Sequence, residues 1–115
     1  MKTFKNQAAQ GDIWITRIPT IPANAVPQAP TGERHVVAHS ESGHDHFVLA
    51  VNAEFWEDPS DPALCYLRVG DGADLSHDKP DEATRHGTIR IPTGSFRIVR
   101  QRERAPEGWD RRVAD

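Results

Sequence analysis

The sequence predicts an all-β fold, a single small barrel or sandwich of about seven short strands. Apolar residues recur with a period of two in short segments, which is typical of strands. Turn-forming residues separate these segments at intervals of roughly ten residues, and no long stretch shows a capped helical pattern. The length of 115 residues corresponds to about one domain. We therefore expect one β domain over residues 1–115, with loosely ordered ends at 1–10 and 105–115.

The first half of the chain contains three predicted strands and a proline-rich strap. Residues 12–18 carry apolar side chains on both faces, as a well-covered strand does. Prolines at positions 19, 22, 27 and 30 make the strap an extended surface segment, because proline disfavours helix interiors and central strands. Residues 34–39 and 44–51 are the second and third predicted strands, with Ser42 and Gly43 as the turn or bulge between them.

The second half alternates polar loops with strands. Residues 57–62 form a predicted loop and 63–69 a strand, and Gly70-Asp71-Gly72 has the composition of a hairpin turn into residues 73–77. Residues 78–84 are a polar loop. Two alternating strands, 87–91 and 95–102, are joined at Pro92-Thr93-Gly94, which suits a type I turn.

Cysteine and apolar content indicate where the protein resides. Cys65 is the single cysteine, which excludes an intrachain disulfide and a CxxC motif and favours a reducing compartment. We expect Cys65 to be an inert buried thiol. The N-terminal residues lack the apolar segment of a signal peptide, and no run is long enough to span a membrane. We therefore expect a cytoplasmic protein without a membrane partner.

The net charge of −3 conceals an acidic middle and a basic end. Residues 33–82 contain twelve acidic and three basic residues, a balance of −9, whereas 85–112 contain eight arginines and three acids, a balance of +5. Nucleic-acid binding requires aromatic residues among the basic ones, and only Phe96 and Trp109 qualify. We therefore expect a solvated surface with internal pairing, in which Arg97 and Arg100 do not read bases.

Six histidines are the feature that points to chemistry. His44 and His46 lie two apart on a predicted strand, so both imidazoles project from one face and can converge on one ion. His77 closes one predicted strand and His86 opens another, and either or both complete the set if they reach the same end of the fold. Imidazole suits zinc, iron and nickel. The sequence thus predicts a divalent transition metal at His44, His46, His77 and His86.

Other residues have subordinate roles in this interpretation. Glu41 is an alternative fourth ligand or a general base. His35 and His39 are interpreted as surface histidines or as core histidines with satisfied hydrogen bonds. Apolar surroundings for the site are expected from three aromatic residues, Trp14, Phe47 and Tyr66. No motif identifies a catalytic nucleophile, so catalytic residues and the reaction stay open.

Two resemblances accompany these residues. Short uncharacterised proteins of bacteria and their phages share a pattern that this chain carries as Gln10-Gly11-Asp12, Ser42-Gly43-His44-Asp45-His46, His86-Gly87, Ile91-Pro92-Thr93-Gly94 and Arg100-Gln101-Arg102-Glu103. Pieces of this pattern, Gly43 to His46 and Pro92 to Gly94, also resemble the two motifs of the cupins, small β-barrels that bind metals through an HxH pair. The cupin glutamate and final histidine are not at their expected places here. The resemblance implies a β-barrel metal site without naming a reaction.

Three functions follow as hypotheses. The first is a small cytoplasmic β-barrel protein that binds a metal through its histidine cluster, with or without an enzymatic activity. The second is a structural or assembly module, of a kind that phage particles contain, that associates with itself through strand edges and its arginine-rich end. The third, a histidine-based pH sensor, lacks a visible bistable element.

Overall fold

The computed structural model describes residues 2–39, 45–77 and 87–100, and these residues form eleven strands. The strands are β1 Lys2–Thr3, β2 Gln7–Gln10, β3 Ile13–Ile18, β4 Val26–Gln28, β5 Arg34–Ala38, β6 His46–Leu49, β7 Ala53–Glu57, β8 Leu64–Val69, β9 Ala73–His77, β10 Ile89–Ile91 and β11 Gly94–Arg100. A single turn of 3-10 helix, Ala50–Asn52, follows β6. The prediction of an all-β fold is confirmed for this part of the chain.

The strands divide into two sheets. One has the order β1-β10-β9-β6-β5 and the other the order β2-β3-β11-β8-β7-β4. Alternate residues of both sheets form one apolar core, in which Phe96, Ile15 and Leu67 of the six-stranded sheet share a cluster with Val48 and Leu75 of the other. Of the two predicted architectures, the sandwich fits, because the hydrogen bonding closes neither sheet into a barrel.

The predicted strap proves to be an edge. β4 lies within it and pairs with β7, with Pro27 opposite Trp56. An edge position tolerates Pro27 because proline has no N–H to donate to a further strand. β4 is thus one edge of the six-stranded sheet, and β5 is an edge of the five-stranded sheet.

The predicted hairpin at Gly70-Asp71-Gly72 is wrong. Ala73–His77 is a strand as predicted, but β8 pairs with β7 and β11, whereas β9 pairs with β6 and β10. Both edges of β8 are therefore occupied, and three successive side chains of this central strand are buried, those of Cys65, Tyr66 and Leu67. The turn, where Gly72 has a positive φ of 86°, therefore carries the chain from one sheet to the other.

Other parts of the chain also differ from the predicted strands. The predicted strand 44–51 begins within the described part at His46 and ends at Leu49, where the 3-10 turn starts. The strand Ala53–Glu57 went unpredicted, because its alternation follows directly on that of the preceding segment. Residues 2–10 contribute β1 and β2, and residues 101–115 lie outside the described part, so loosely ordered ends stay a prediction.

Candidate functional site

Two of the predicted histidines meet at one end of the sandwich. His46, the first residue of β6, is the register partner of His77, the last residue of β9. Their rings stack with centroids 4.1 Å apart and planes 15° from parallel. His46 follows the inward-facing parity of Val48 and is only 1% exposed, whereas His77 is half-buried. The antiparallel pairing of the two strands thus creates a histidine pair at the edge of the core.

A buried glutamine from the opposite sheet fixes the proton of His46. The Gln10 Nε2 group donates to the carbonyl oxygen of Leu75 at 2.9 Å and to that of Gly87. These two acceptors orient the amide, so Gln10 Oε1 faces His46 Nδ1 at 2.8 Å as an acceptor. The Nδ1 atom of His46 therefore carries the hydrogen, and in the neutral ring the lone pair is on Nε2.

The surroundings keep this ring neutral. Burial, and to a lesser extent the neighbouring His77, lower the pKa of His46 to about 4, while Asp12 and Asp45 act in the opposite direction. The imidazole is thus uncharged near neutral pH, which is the form that binds metals.

The free lone pair of His46 faces a carboxylate. Asp12 Oδ1 lies 3.6 Å from His46 Nε2, too far for a direct hydrogen bond. The Asp12 side chain is 38% exposed, so the Nε2 side of the ring lies near solvent while the Nδ1 side is in the core. A lone pair and a carboxylate oxygen so placed attract a cation or a shared hydrogen-bond donor between them.

The backbone between Gln10 and Asp12 packs directly against the histidine pair. Gly11 has a φ of +59°, in the left-handed region that favours glycine. A Cβ at this position would lie 3.1 Å from Cε1 of His46 and 3.8 Å from Cε1 of His77. Both rings therefore present the Cε1 edge, which adjoins Nε2, toward the same turn.

The turn at residues 10–12 was not predicted to be part of the site. The sequence suggested only that these residues open a strand and belong to the pattern shared with short uncharacterised proteins. A usable signal was present, because Gln10 continues the inward parity of Ala8 and thus predicts a buried polar group. Its partner could not be predicted, since it lies on the other sheet.

The other predicted ligands lie outside the part of the chain that the structure describes. His44, His86 and Glu41 lie outside the described residues, as do Ser42 and Gly43. Within residues 2–39, 45–77 and 87–100, no three His, Cys, Asp or Glu side chains form a group that could hold a metal ion. The described chain therefore supplies the pair His46 and His77, and the four-histidine cluster stays a prediction.

The other two described histidines differ from each other. His39 is 77% exposed and contacts Asp45, with Nδ1 3.1 Å from Oδ1, as expected for a surface histidine. His35 is 5% exposed, and its Nδ1 is buried without a hydrogen-bond partner among the described residues. The expectation that a buried His35 has its hydrogen bonds satisfied is therefore wrong, because burial between the sheets removes water from Nδ1 without replacing it.

The three aromatic residues expected around the metal have other neighbours. Trp14 is 51% exposed, Phe47 lies under the guanidinium of Arg34 at 3.7 Å, and the Tyr66 hydroxyl donates to Asp58 at 2.9 Å. The core histidine His46 owes its low pKa to burial at the sheet end rather than to an aromatic pocket assembled from these residues.

Two further side chains, Cys65 and Arg100, are held within the fold. Burial raises the pKa of Cys65 to about 12, so its thiol is inert near neutral pH. Arg100 is 18% exposed and donates to Glu57 at 2.7 Å and to the carbonyl oxygens of Val37 and Pro62. The bond to Val37 joins the two sheets, and together the bonds hold this guanidinium within the fold.

Fold and site together define a small β-sandwich with a buried histidine pair at the end of its core. Residues 9–101 match the model of a domain of unknown function, DUF8820, and the chain belongs to that family. The match spans Gln10, Gly11 and Asp12 as well as all six histidines. No curated protein and no solved structure gave a significant match. The described residues contain no helix long and apolar enough to cross a membrane.

Proposed function

We propose that this protein binds one divalent transition metal at the turn that joins Gln10 to Asp12. His46 Nε2 and the Asp12 carboxylate are its first two ligands, and His44 or His86 supplies the third, with His77 stacked on the His46 ring. The observation that carries the proposal is the placement of His46, whose Nε2 lies 3.6 Å from the Asp12 carboxylate while its Nδ1–H donates to Gln10.

The spacing of the two ligands suits a shared ion. Zinc lies about 2.0–2.1 Å from histidine nitrogen and from carboxylate oxygen, so two tetrahedral ligands are roughly 3.3 Å apart. The observed separation of Nε2 and Oδ1 is 3.6 Å. A small rotation of the half-exposed Asp12 side chain is enough to bring both atoms to ligand distance.

Gln10 acts on the metal through His46. A histidine ligand commonly donates its second N–H to a protein acceptor, which fixes the tautomer and makes the ring a better ligand. Gln10 Oε1 is that acceptor here, and two backbone carbonyls hold the amide in turn.

The proposal keeps His44 and His86 as further ligands. His44 is two residues from His46 in the chain, within about 7 Å between Cα atoms at full extension. His86 directly precedes Gly87, whose carbonyl accepts from Gln10. Both residues are therefore tethered next to the histidine pair, and either adds the second histidine to the His46 and Asp12 ligands.

This ligand set suits zinc, iron and nickel. Two histidines and a carboxylate occur in catalytic zinc sites and in iron(II) oxygenases, so the ligands alone leave the reaction open. The proposal also places the protein in the cytoplasm, where a reducing environment keeps the buried Cys65 thiol free and iron(II) available.

Metal analysis of the full chain tests the proposal. The protein is stripped with a chelator, incubated separately with Zn²⁺, Ni²⁺ and anaerobic Fe²⁺, desalted and analysed by mass spectrometry for bound metal. We expect about one equivalent of at least one metal. His46→Gln and Asp12→Asn should each weaken its binding by at least about tenfold, because each removes a ligand.

His39→Gln is the matched control, because His39 is exposed and on neither strand of the pair. Its metal content should equal that of the parent. If His46→Gln fails to fold, Asp12→Asn still decides, since Asp12 lies at the solvent-exposed side of the site. Absence of metal from the parent after all three incubations, or full occupancy in Asp12→Asn, contradicts the proposal.

A further inference from the structure

A second polar site lies where residues of β4, an edge of one sheet, and β5, an edge of the other, line the same cavities. Two cavities of about 310 and 280 Å³ adjoin each other at this edge and share Gln28, His35 and Phe55 in their walls. We call the two cavities together the strap cleft.

His35 supplies an unused acceptor to the strap cleft. Nδ1 of this 5% exposed residue has no partner in the described part of the chain. A backbone hydrogen bond with Ala53 raises the pKa of His35, so the ring donates to it through Nε2, and burial, which lowers the pKa, outweighs it. In the neutral ring Nδ1 therefore carries a lone pair without a partner in the described part of the chain, on a side chain that lines both cavities of the cleft.

The larger cavity favours a positively charged group. Two carboxylates line it, and Glu57 is neutralised by Arg100 at 2.7 Å. Asp45 pairs instead with His39 at 3.1 Å, a partner whose charge is not permanent. A ligand with several N–H donors and one positive charge can bond to His35 Nδ1 and Asp45 together.

The smaller cavity favours an apolar group beside that charge. Pro27, Pro30 and Trp56 line it together with the shared Phe55. Phe55 is itself packed against the His35 ring, with centroids 5.5 Å apart. Aromatic and proline walls of this kind bury a short hydrocarbon or a phenyl ring.

We propose that the strap cleft binds a primary ammonium compound with a short apolar or aromatic tail. The ammonium donates to His35 Nδ1 and Asp45 in the polar cavity, and the tail lies against Trp56 and the strap prolines. This site shares no residue with the metal site, so the two proposals stand or fall separately.

Binding of phenethylammonium to the full chain tests this inference. NMR titration reports both the affinity and the resonance of His35 Nδ1, which shifts when that nitrogen accepts a hydrogen bond. Phenethyl alcohol lacks the charge and hydrocinnamate reverses it, while both keep the phenyl ring. We expect phenethylammonium to bind at least about tenfold more tightly than either, which is the effect of one charge-assisted hydrogen bond.

Two variants separate the role of His35 from general packing. His35→Phe keeps an aromatic ring but removes the acceptor, and we expect at least a tenfold loss of affinity. His39→Phe alters the same cavity at its exposed side and should not weaken binding, since Asp45 then loses its histidine partner. Equal binding of the alcohol, unchanged affinity in His35→Phe, or no shift of the His35 resonance at millimolar phenethylammonium overturns the inference.

Discussion

The two inward-facing histidines, His46 and His35, are both buried but differ in hydrogen bonding. Burial lowers the pKa of both, and both are neutral near pH 7. His46 has Gln10 on Nδ1 and a carboxylate facing Nε2, whereas His35 Nδ1 has no partner in the described chain. The comparison teaches that burial is the main cause that keeps a histidine neutral, while the partners of its two nitrogens decide which ligand it can take.

The largest effect is expected from removing the partner of His46. Gln10→Leu leaves the buried His46 Nδ1–H and two carbonyl oxygens without Gln10, so the free energy of unfolding should fall by roughly 2–4 kcal/mol. Urea denaturation measures this change. Gln7→Leu, on the same strand but exposed, is the matched control and should change stability by less than about 0.5 kcal/mol. Similar losses of stability in both variants would contradict a contribution of the Gln10 hydrogen bonds to the free energy of unfolding.

A pair of glycine variants sharpens the same comparison. Gly11→Ala and Gly32→Ala both place alanine at a positive φ, +59° and +64°, and each should cost about 1–2 kcal/mol. At Gly11 the new Cβ also contacts His46 at 3.1 Å, whereas nothing lies within 4 Å at Gly32. We therefore expect Gly11→Ala to lose about 1 kcal/mol more than Gly32→Ala in thermal or urea unfolding.

A metal titration of the same two variants gives a second reading. Gly11→Ala should also weaken metal binding, because the contact displaces the His46 ring, while Gly32→Ala should bind as the parent does. Equal stability and equal metal affinity in the two variants would contradict a close approach of the turn to the histidine pair.

The smallest effect is expected at His35. His35→Phe removes a polar atom that has no partner, so stability at neutral pH should stay within about 1 kcal/mol of the parent or rise. The folded pKa of His35 lies below 6.5, so the unfolded chain binds this proton more readily and the parent loses stability as the pH falls below about 6.5.

His35→Phe should lack that loss. Its stability advantage over the parent should therefore grow between about pH 7 and 5 and stay constant above pH 7. The charged groups around the same cleft, Asp45, Glu57 and His39, are present in both proteins and largely cancel in the difference. An advantage that is independent of pH would show that His35 titrates alike in the folded and unfolded chain.

Period-two alternation was sufficient to predict most strands. It predicted β3, β5, β8, β9 and β11 nearly at their observed bounds, because burial of a sheet face makes apolar residues recur at every second position of a strand. The pairing of strands produces no comparable pattern in the sequence. Gly70 to Gly72 has the composition of a hairpin turn, but β8 already has β7 and β11 on its two edges.

For the candidate site, the sequence identified the right type of residue but only part of the set. His77 was expected to complete the set only if it reached the same end of the fold as His46, and the strand register shows that the two are partners. The contribution of Gln10 and Asp12 could not be anticipated, since the bonds that join Gln10 to His46 and Leu75 span 36 and 65 residues.

By itself the sequence determined the all-β class, the single buried thiol and a set of histidines with metal-binding chemistry, because composition and alternation are local properties. Only the tertiary structure decided which strands became neighbours and therefore which nitrogen of His46 keeps its lone pair and which nitrogen of His35 has no partner. The physical reason is that hydrogen bonding between sheets depends on distances between residues far apart in the chain, and local pattern carries no information about those distances.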